Sequence, residues 1–223
     1  MKINKVMSAS QALSVIKDGD SVMVGGFGFR GSPLELIDAL AATNKKDLTI
    51  ISNDLGNSGE GLGSILLNKQ IKRLVGTYFN WNHDVADARN RGEIVVTLFP
   101  QGSFAESIRA GGMGIPAYYA LASEGTEIGA GKEVRMFDGR NYVLEYALTA
   151  DVALVRAYKS DTLGNLVYYK TSRNFNPVMA TAAKYTIAEV EQIVEAGELT
   201  PEEVVTPHIY IDAIVKGGKY QWD

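Results

Sequence analysis

Residues 21–41 read SVMVGGFGFRGSPLELIDALA, and this stretch holds the pattern of a strand, a glycine-rich loop and a helix. The apolar run Ser21–Val24 ends in glycines and predicts a buried β-strand. Ser32 can cap the helix that follows, and Pro33 suits its first position, because an N–H there has no partner within the helix. Apolar residues then recur at helical spacing as far as Ala41, so the stretch predicts a βα unit.

The rest of the first half repeats this alternation. Apolar runs predict strands over residues 48–52, 72–78 and 94–98, and helical patterns cover residues 10–16, 84–91 and 104–110. Short apolar strands separated by helices imply parallel βαβ units with right-handed crossovers. We therefore predict an α/β fold with a three-layer, open, mainly parallel sheet and helices on both faces. Ligands gather at the carboxyl ends of strands in such sheets, so the loops after Val24, Ser52 and Leu98 are the first candidates for a site.

The pattern changes after residue 110. Glycines predict a loop over residues 111–116, and a β-hairpin follows over residues 134–144 with its turn at 138–140. The remaining segments predict strands over 152–155 and 166–169 that flank a turn at 161–165, a helix over 177–184 and a strand over 209–215. No repeat, charge block or linker divides the chain. We therefore expect one domain over residues 1–223, with the hairpin as an excursion from the main sheet.

The composition excludes several classes of function. Hydrophobic residues make up 46% and charged residues 22%, which is the balance of a globular protein. The formal net charge is -4 with both signs mixed along the chain, and this argues against a nucleic-acid surface. The chain has no cysteine, so disulfides, thiolate metal sites and a cysteine nucleophile are excluded. His83 and His208 are the only histidines, and one acidic neighbour, Asp84, does not make a metal site.

The location of the protein is inferred from missing signals. No window approaches the ~18 consecutive apolar residues that a membrane span requires. The N-terminus lacks the apolar core of a signal peptide. We therefore expect a soluble, cytoplasmic protein that binds neither membrane nor nucleic acid.

Residues 26–31, GFGFRG, match the dinucleotide fingerprint G-x-G-x-x-G after a strand. Asp54 lies near the end of the next strand, where an acidic residue would bind a ribose. In that fingerprint the third glycine lies inside the helix, whereas Ser32 and Pro33 here mark a helix start after Gly31. An NAD-dependent oxidoreductase stays an alternative, and so does a non-catalytic ligand-sensing protein, because sensor domains share related α/β folds.

The glycine-rich loop also has more glycines than a turn requires. Five glycines lie within residues 19–31, and four of them lie within residues 25–31. Backbone N–H groups crowded at a helix start suit an anion or a developing oxyanion. The loop is therefore a candidate binding site for an anionic ligand.

Ordered blocks of sequence resemble one protein family and span nearly the whole chain. The blocks are DGDSVMVGGFGFRGSP at 18–33, ISND at 51–54, QIKR at 70–73, PQGS at 100–103, IRAGG at 108–112, DGR at 138–140, RNFNP at 173–177 and MATAA at 179–183. The first block agrees with the first coenzyme A transferase signature at every defined position. The chain thus resembles the A (alpha) subunit of the family I coenzyme A transferases of the 3-oxoacid, acetoacetate or acetate type.

This resemblance implies an active site that is shared between two chains. Members of the family move coenzyme A (CoA) between an acyl-CoA and a carboxylic acid through an acyl–glutamyl anhydride and a glutamyl–CoA thioester. The nucleophilic glutamate belongs to a Ser-Glu-Asn-Gly segment of the B subunit. The nearest string here, SEG at 123–125, lacks the asparagine. The resemblance therefore implies a partner B subunit, commonly in an α2β2 assembly, with CoA as co-substrate and no tightly bound cofactor or metal.

The resemblance also implies roles for single residues. Asn53 matches an active-site asparagine whose amide helps to hold the reacting carbonyl, although such a residue after a strand is more often part of a turn. Gln101 matches a glutamine that contacts the acid substrate, and its alternative is an exposed loop amide. Tyr78 lies at the corresponding pocket edge, where a strand aromatic is usually core. The loop that is expected to contact CoA, mainly through backbone amides, consists of Gly25, Gly26, Phe27, Gly28, Phe29, Arg30 and Gly31.

Two segments depart from the family pattern. Residues 78–82 read YFNWN, and residues 120–126 read ALASEGT. If both line the acid pocket, their bulk and charge leave the identity of the acid and of the acyl-CoA open.

Overall fold

The computed structural model describes residues 4–218. The strands are β1 Ser21–Val24, β2 Leu48–Ile51, β3 Ile71–Gly76, β4 Val95–Leu98, β5 Ala117–Ala120, β6 Val134–Phe137, β7 Arg140–Tyr146, β8 Ala150–Asp161, β9 Leu166–Val167, β10 Ala183–Val194 and β11 Ala213–Lys216. The helices are α1 Ala9–Leu13, α2 Leu34–Ala41, α3 Leu62–Leu67, α4 His83–Asn90, α5 Gln101–Gly112 and α6 Asn176–Ala180. Short 3₁₀ turns cover Lys170–Arg173 and His208–Tyr210.

The main sheet is almost entirely parallel. Its strand order is β11-β10-β8-β1-β2-β3-β4, and each neighbouring pair in this order is parallel. The short strand β9 pairs with β8 in the antiparallel direction. A second sheet, in the antiparallel order β5-β7-β6, carries the predicted hairpin. The predicted α/β class is therefore confirmed.

Two apolar clusters pack on opposite faces of the main sheet. In β1, Val22 and Val24 belong to the cluster that α1, α2, α3 and α4 cover, whereas Met23 belongs to the cluster that α5 and α6 cover. All three side chains are fully buried. A strand that is covered on both faces has no polar side, which explains the uninterrupted apolar run. The predicted three layers are present.

Helix α2 begins differently from the prediction. It starts at Leu34, with Pro33 at the capping position and no side-chain hydrogen bond at the cap. The N–H groups of Glu35 and Leu36 instead donate to Oε2 of Glu189 on β10, at 2.9 and 3.0 Å. The predicted Ser32 cap is wrong, because a carboxylate from a distant strand occupies that place.

The loop predicted over residues 111–116 is also wrong in part. Helix α5 continues through Gly112, and β5 follows from Ala117. A Cβ at Gly111 would lie 2.1 Å from the Leu148 carbonyl oxygen, and one at Gly112 would lie 2.3 Å from Thr181 Oγ1. Both glycines therefore allow the helix to approach its neighbours closely, and they do not end it.

The largest difference from the predicted elements lies near the C-terminus. The helix predicted over 177–184 ends at Ala180, and β10 then runs for 12 residues beside the equally long β8. The sequence pattern missed β10, detected only residues 152–155 of β8, and did not predict α3. The predicted last strand begins only at Ala213, after the 3₁₀ turn.

The prediction of one domain over residues 1–223 stays a prediction, and residues 1–3 and 219–223 lie outside the described part. None of the helices formed by residues 4–218 has the length and apolar character that crossing a membrane requires.

Candidate active site

The loops that follow β1, β2, β3 and β4 meet at the carboxyl edge of the main sheet. Gly28 N, in the loop after β1, donates to Asp54 Oδ2 after β2 at 2.8 Å. Tyr78 N, after β3, donates to the Asn53 carbonyl oxygen at 3.0 Å. Gln101 Nε2, at the start of α5 after β4, donates to Asn53 Oδ1 at 2.8 Å. The three loops that the sequence pattern singled out therefore form one cluster, which the loop after β3 joins.

Asn53 is the centre of this cluster. It is only 1% exposed, and its Oδ1 accepts hydrogen bonds from Gln101 Nε2 and from Thr77 Oγ1, at 2.8 and 2.9 Å. Its Nδ2 donates to Asp54 Oδ2 at 2.8 Å. These contacts hold the amide plane in one orientation. An amide nitrogen carries two N–H donors, and the hydrogen bond to Asp54 occupies one of them.

Gln101 is the exposed member of the pair. It is the first residue of α5, and its amide reaches back to Asn53 rather than into solvent. The two side chains form a hydrogen-bonded amide pair with one buried and one exposed end. We call Asn53 and Gln101 the amide pair.

Tyr78 lies on the surface and not in the core. It is 51% exposed, whereas its neighbour Phe79 is buried. Tyr78 contributes to an open pocket of about 380 Å³, which we call the aromatic pocket. Its aromatic lining residues are Phe27, Phe29, Tyr78 and Trp81. Of the two segments that depart from the family pattern, residues 78–82 therefore reach this pocket, whereas residues 120–126 do not line it.

The glycine-rich loop uses most of its backbone amides internally. Gly25 N donates to the Leu154 carbonyl oxygen, Gly26 N donates to Asn174 Oδ1, and Gly28 N donates to Asp54. The amides of residues 27 and 30 donate to each other's carbonyl oxygens. The predicted contact of this loop with CoA stays a prediction. A contact through these amides would require the loop to rearrange.

Close packing accounts for two of the loop glycines. A Cβ at Gly25 would lie 2.0 Å from Asn176 Oδ1, and one at Gly31 would lie 2.2 Å from the Ser172 carbonyl oxygen. Gly31 also has a φ of +67°, in the left-handed region. The loop is therefore shaped by the segment 172–176. Sequence reasoning noted the RNFNP block at 173–177, which overlaps this segment, but assigned no role to its asparagines.

Asn176 connects the loop to the sheet. It is fully buried, and its Nδ2 donates to the carbonyl oxygens of Gly31 and Ser172 at 2.9 and 3.0 Å. Its Oδ1 accepts from the backbone N–H of Arg156 on β8 at 2.8 Å. One side chain therefore satisfies three buried backbone groups on three segments.

A buried charged cluster lies beside the N-terminal end of α2, on β8 and β10. Arg156 Nη2 pairs with Glu191 Oε1 at 2.9 Å, and Arg156 Nε lies 3.7 Å from Glu189 Oε1. Burial raises the pKa of Glu189 to about 7, against the opposing effects of the Leu36 N–H and the Arg156 guanidinium. The carboxyl group is therefore protonated more readily in the folded chain than in the unfolded chain.

This shift predicts a pH dependence of stability. The pKa of Glu189 is higher in the folded chain than the unfolded value of 4.5. The stabilisation that its protonated form contributes to the folded state is therefore fully present below pH 4.5 and is lost as the pH rises towards 7. We expect the free energy of unfolding of Glu189→Gln, relative to that of the wild type, to increase by about 2 kcal/mol between pH 5 and pH 8. Urea unfolding at both pH values measures this. Glu195→Gln, at an exposed position, is the control, and parallel pH profiles of wild type and Glu189→Gln would contradict the assignment.

The string SEG at 123–125 lies in the turns between β5 and β6. Ser123 is buried, and its Oγ donates to Oε1 of the buried Glu145, whose Oε2 binds Lys132 Nζ at 2.7 Å. Glu124 is exposed beside this cluster. Within residues 4–218, no three His, Asp or Glu side chains come together as a metal site.

The geometry does not favour a dinucleotide-binding role for the glycine-rich loop. Gly31 lies before α2 rather than inside it. The Asp54 carboxylate already accepts hydrogen bonds from Gly28 N, from Gly56 N and from Asn53 Nδ2. These hydrogen bonds connect the loops after β1 and β2, and they account for the Asp54 carboxylate without a ribose.

Comparison with known proteins identifies the family. A family model described as coenzyme A transferase matches residues 6–217. The A subunit of the succinyl-CoA:3-ketoacid coenzyme A transferase of Helicobacter pylori is 51% identical, over 98% of this chain and 95% of that protein. The A subunit of the 3-oxoadipate CoA-transferase of Pseudomonas putida is 47% identical, over 96% of this chain and 94% of that protein. The chain therefore belongs to the coenzyme A transferase family.

A solved structure supports the fold. The acyl-CoA transferase from Escherichia coli O157:H7, in a thioester complex with CoA, superposes with a TM-score of 0.84 and 21% identity. The match covers 96% of this chain and 47% of that one, so the chain spans about half of that polypeptide.

Proposed function

We propose that this chain is the A subunit of a heteromeric CoA-transferase, which moves CoA between an acyl-CoA and a short-chain carboxylic or 3-oxo acid. The amide pair carries this proposal. It is held at the carboxyl edge of the sheet, beside an open pocket, by hydrogen bonds from three loops. The relatives that are named as A subunits of CoA-transferases, and that match almost the whole chain, support it.

The nucleophile in the proposed reaction is a glutamate of the partner B subunit. Its carboxylate attacks the thioester carbonyl and the C–S bond breaks. The CoA thiolate departs, and an acyl–glutamyl anhydride remains on the enzyme. The thiolate then attacks the glutamyl carbonyl, which releases the acid and forms the glutamyl–CoA thioester. The carboxylate of a second acid then attacks the glutamyl–CoA thioester and forms a new anhydride. The released CoA thiolate attacks the acyl carbonyl of that anhydride, which gives the new acyl-CoA and frees the glutamate. Each addition places negative charge on a carbonyl oxygen.

The amide pair supplies donors for that charge. In this scheme, the second N–H of Asn53 Nδ2 binds the developing oxyanion, and the exposed amide of Gln101 binds the carboxylate of the acid. Donors that are already oriented stabilise the transition state without reorganising during the reaction. The hydrogen bonds from Thr77 and to Asp54 maintain that orientation.

A split active site requires a surface that binds the partner. Large apolar side chains are exposed on the edge strand β4 and on the small antiparallel sheet, among them Val95, Leu98, Met136 and Tyr146. Interfaces that form permanently are rich in apolar area. These side chains support a partner of the B-subunit type, and an α2β2 assembly is the arrangement that we propose.

A Gln101→Ala variant tests the proposal in the assembled enzyme. We expect kcat/KM for the acid to fall about 10- to 100-fold, because a hydrogen bond to a charged group is removed. The loss should appear mainly in the KM of the acid, and it is measured as CoA exchange between an acyl-CoA and the acid. Gln192→Ala, at an exposed position on β10, is the matched control. Unchanged exchange kinetics would remove Gln101 from the site.

Protection against thermal unfolding separates this proposal from the oxidoreductase alternative. We expect CoA or an acyl-CoA to raise the melting temperature of the assembled protein, and we expect no shift with NAD. The reverse result would favour the oxidoreductase.

A further inference from the structure

A strained asparagine binds the glycine-rich loop from a distant part of the chain. Asn174 follows the 3₁₀ turn Lys170–Arg173 and has a φ of +22° and a ψ of -121°, in the region that favours glycine. A residue with a side chain persists there only where its surroundings enforce the conformation, and such residues cluster at functional sites. Glycine would adopt this backbone without strain, so the asparagine is explained by what its side chain binds.

The side chain of Asn174 binds both ends of the tight turn within the loop. Its Oδ1 accepts from Gly26 N at 3.2 Å, and its Nδ2 donates to the carbonyl oxygen of Arg30 at 2.9 Å. Between these points the backbones of Phe27 and Arg30 bind each other in both directions, at 3.0 and 3.1 Å. Oδ1 also accepts from the N–H of Phe175 at 2.7 Å, which fixes the amide plane. One amide group therefore holds the turn closed.

The closed turn reaches the amide pair through a single carboxylate oxygen. Gly28, inside the turn, donates its N–H to Asp54 Oδ2 at 2.8 Å. The same oxygen accepts from Asn53 Nδ2, also at 2.8 Å. A displacement of Gly28 would therefore move the oxygen that orients the buried Asn53 amide.

The next residue along the chain supports the other member of the amide pair. The ring of the buried Phe175 packs edge-to-face on Phe104, with the ring centroids 5.5 Å apart. Phe104 lies on α5, about one turn after Gln101. The segment that contains Asn174 and Phe175 therefore connects to Asn53 on one side and to the helix that carries Gln101 on the other.

From the proposed function above, on which this step rests, we infer that Asn174 is a positioning residue for CoA transfer. It holds the glycine-rich loop in the closed form, in which Gly28 N and Asn53 Nδ2 share Asp54 Oδ2. The loop thereby keeps the Asn53 amide in the orientation that the reaction uses. Asn174 does not touch the reacting atoms, and its effect passes through the loop and Asp54.

An Asn174→Gly variant in the complex with the B subunit tests this role. The change removes the side-chain hydrogen bonds but also the strain of the positive φ, so the melting temperature should shift by less than about 4 °C. We expect kcat for CoA exchange to fall about 5- to 20-fold, which is less than the loss of an oxyanion donor itself. The KM of the acid should change less than about threefold, because the Gln101 amide is retained.

Lys170→Gly is the matched control. Lys170 starts the same 3₁₀ turn and also has a positive φ, of +46°, but its Nζ lies over the ring of Tyr169, 4.8 Å from the centroid. The change should leave kcat within about a factor of two of the wild type. Asn174→Asp keeps the acceptor for Gly26 N and loses the donor to Arg30, so it should lower kcat about three- to fivefold. This variant replaces Asn174→Gly if the glycine variant does not assemble.

A double-mutant cycle shows whether Asn174 acts through Asn53. In an Asn53→Ala background the donor that Asn174 positions is gone, so Asn174→Gly should lower kcat by less than about twofold further. A purely structural role would lower kcat by the same factor in both backgrounds. That result, a kcat of Asn174→Gly within about twofold of the wild type, or an equal loss in Lys170→Gly would overturn the inference and leave the proposed function standing.

Hydrogen exchange of the loop gives a reading that does not depend on turnover. The amide of Gly28 should exchange at least about tenfold faster in Asn174→Gly than in the wild type, with no change in Lys170→Gly. Unchanged exchange at Gly28 would overturn the inference whatever the kinetics. If the wild-type complex transfers no CoA, the proposed function fails together with the role of Asn174 in the reaction, whereas faster exchange would still show that Asn174 holds the loop.

Discussion

Replacing Asn53 by Ala should lower kcat of the assembled enzyme about 100- to 1,000-fold, the effect of losing one oriented donor to an oxyanion. The removed side chain holds the second N–H of Nδ2, which we assign to the thioester oxygen. It also accepts the hydrogen bond that orients Gln101. The loss should therefore exceed that of Gln101→Ala and should fall on kcat more than on KM.

The measurement is steady-state CoA exchange with the B subunit present. Native mass and melting temperature of the variant complex establish that assembly persists, and Asn44→Ala, at an exposed loop position, is the control. A variant that assembles and turns over within a factor of about three of the wild type would remove Asn53 from the chemistry.

Replacing Asn176 by Ala should reduce the free energy of unfolding by about 3 kcal/mol. The change leaves the carbonyl oxygens of Gly31 and Ser172 and the N–H of Arg156 without their partner in a buried place. An unpaired buried polar group costs about 1–3 kcal/mol, and entering water relieves part of the sum. The glycine-rich loop should loosen with it, because Gly31 packs on the same segment.

Urea unfolding measures the loss, with the exposed Asn141 as the site of the control change Asn141→Ala. Hydrogen exchange of the amides in residues 25–31 should increase in Asn176→Ala only. A stability loss under about 0.5 kcal/mol would show that water replaces the asparagine fully.

Much of the candidate site follows from local sequence patterns. The apolar runs before Gly25, Asn53 and Gln101 predict parallel strands, and parallel strands bring their carboxyl ends to one edge of a sheet. That reasoning places the three loops at one edge of the sheet without any knowledge of the order in which the strands pair. It does not predict that Asn53 and Gln101 bind each other, since that contact depends on the register of β2 and β4, which decides where each strand ends at the edge of the sheet.

The parts that escaped prediction depend on contacts that are distant in sequence. Strand β10 carries Glu189 and Glu191 among its apolar residues. These charged residues interrupt the apolar run that would otherwise predict a buried strand. The structure explains them, because Glu189 caps α2 and both lie beside Arg156 on β8. The role of Asn176 was not predicted for the same reason, because its three hydrogen-bond partners lie on three segments that are distant in sequence.

The division of the active site between two chains is tested most directly by intact mass measurement of the native complex after incubation with an acyl-CoA. We predict a second chain in equal copy, and an added mass of CoA less one water on that partner chain alone. An adduct on this chain, or a homo-oligomer that transfers CoA without a second chain, would contradict the proposed mechanism.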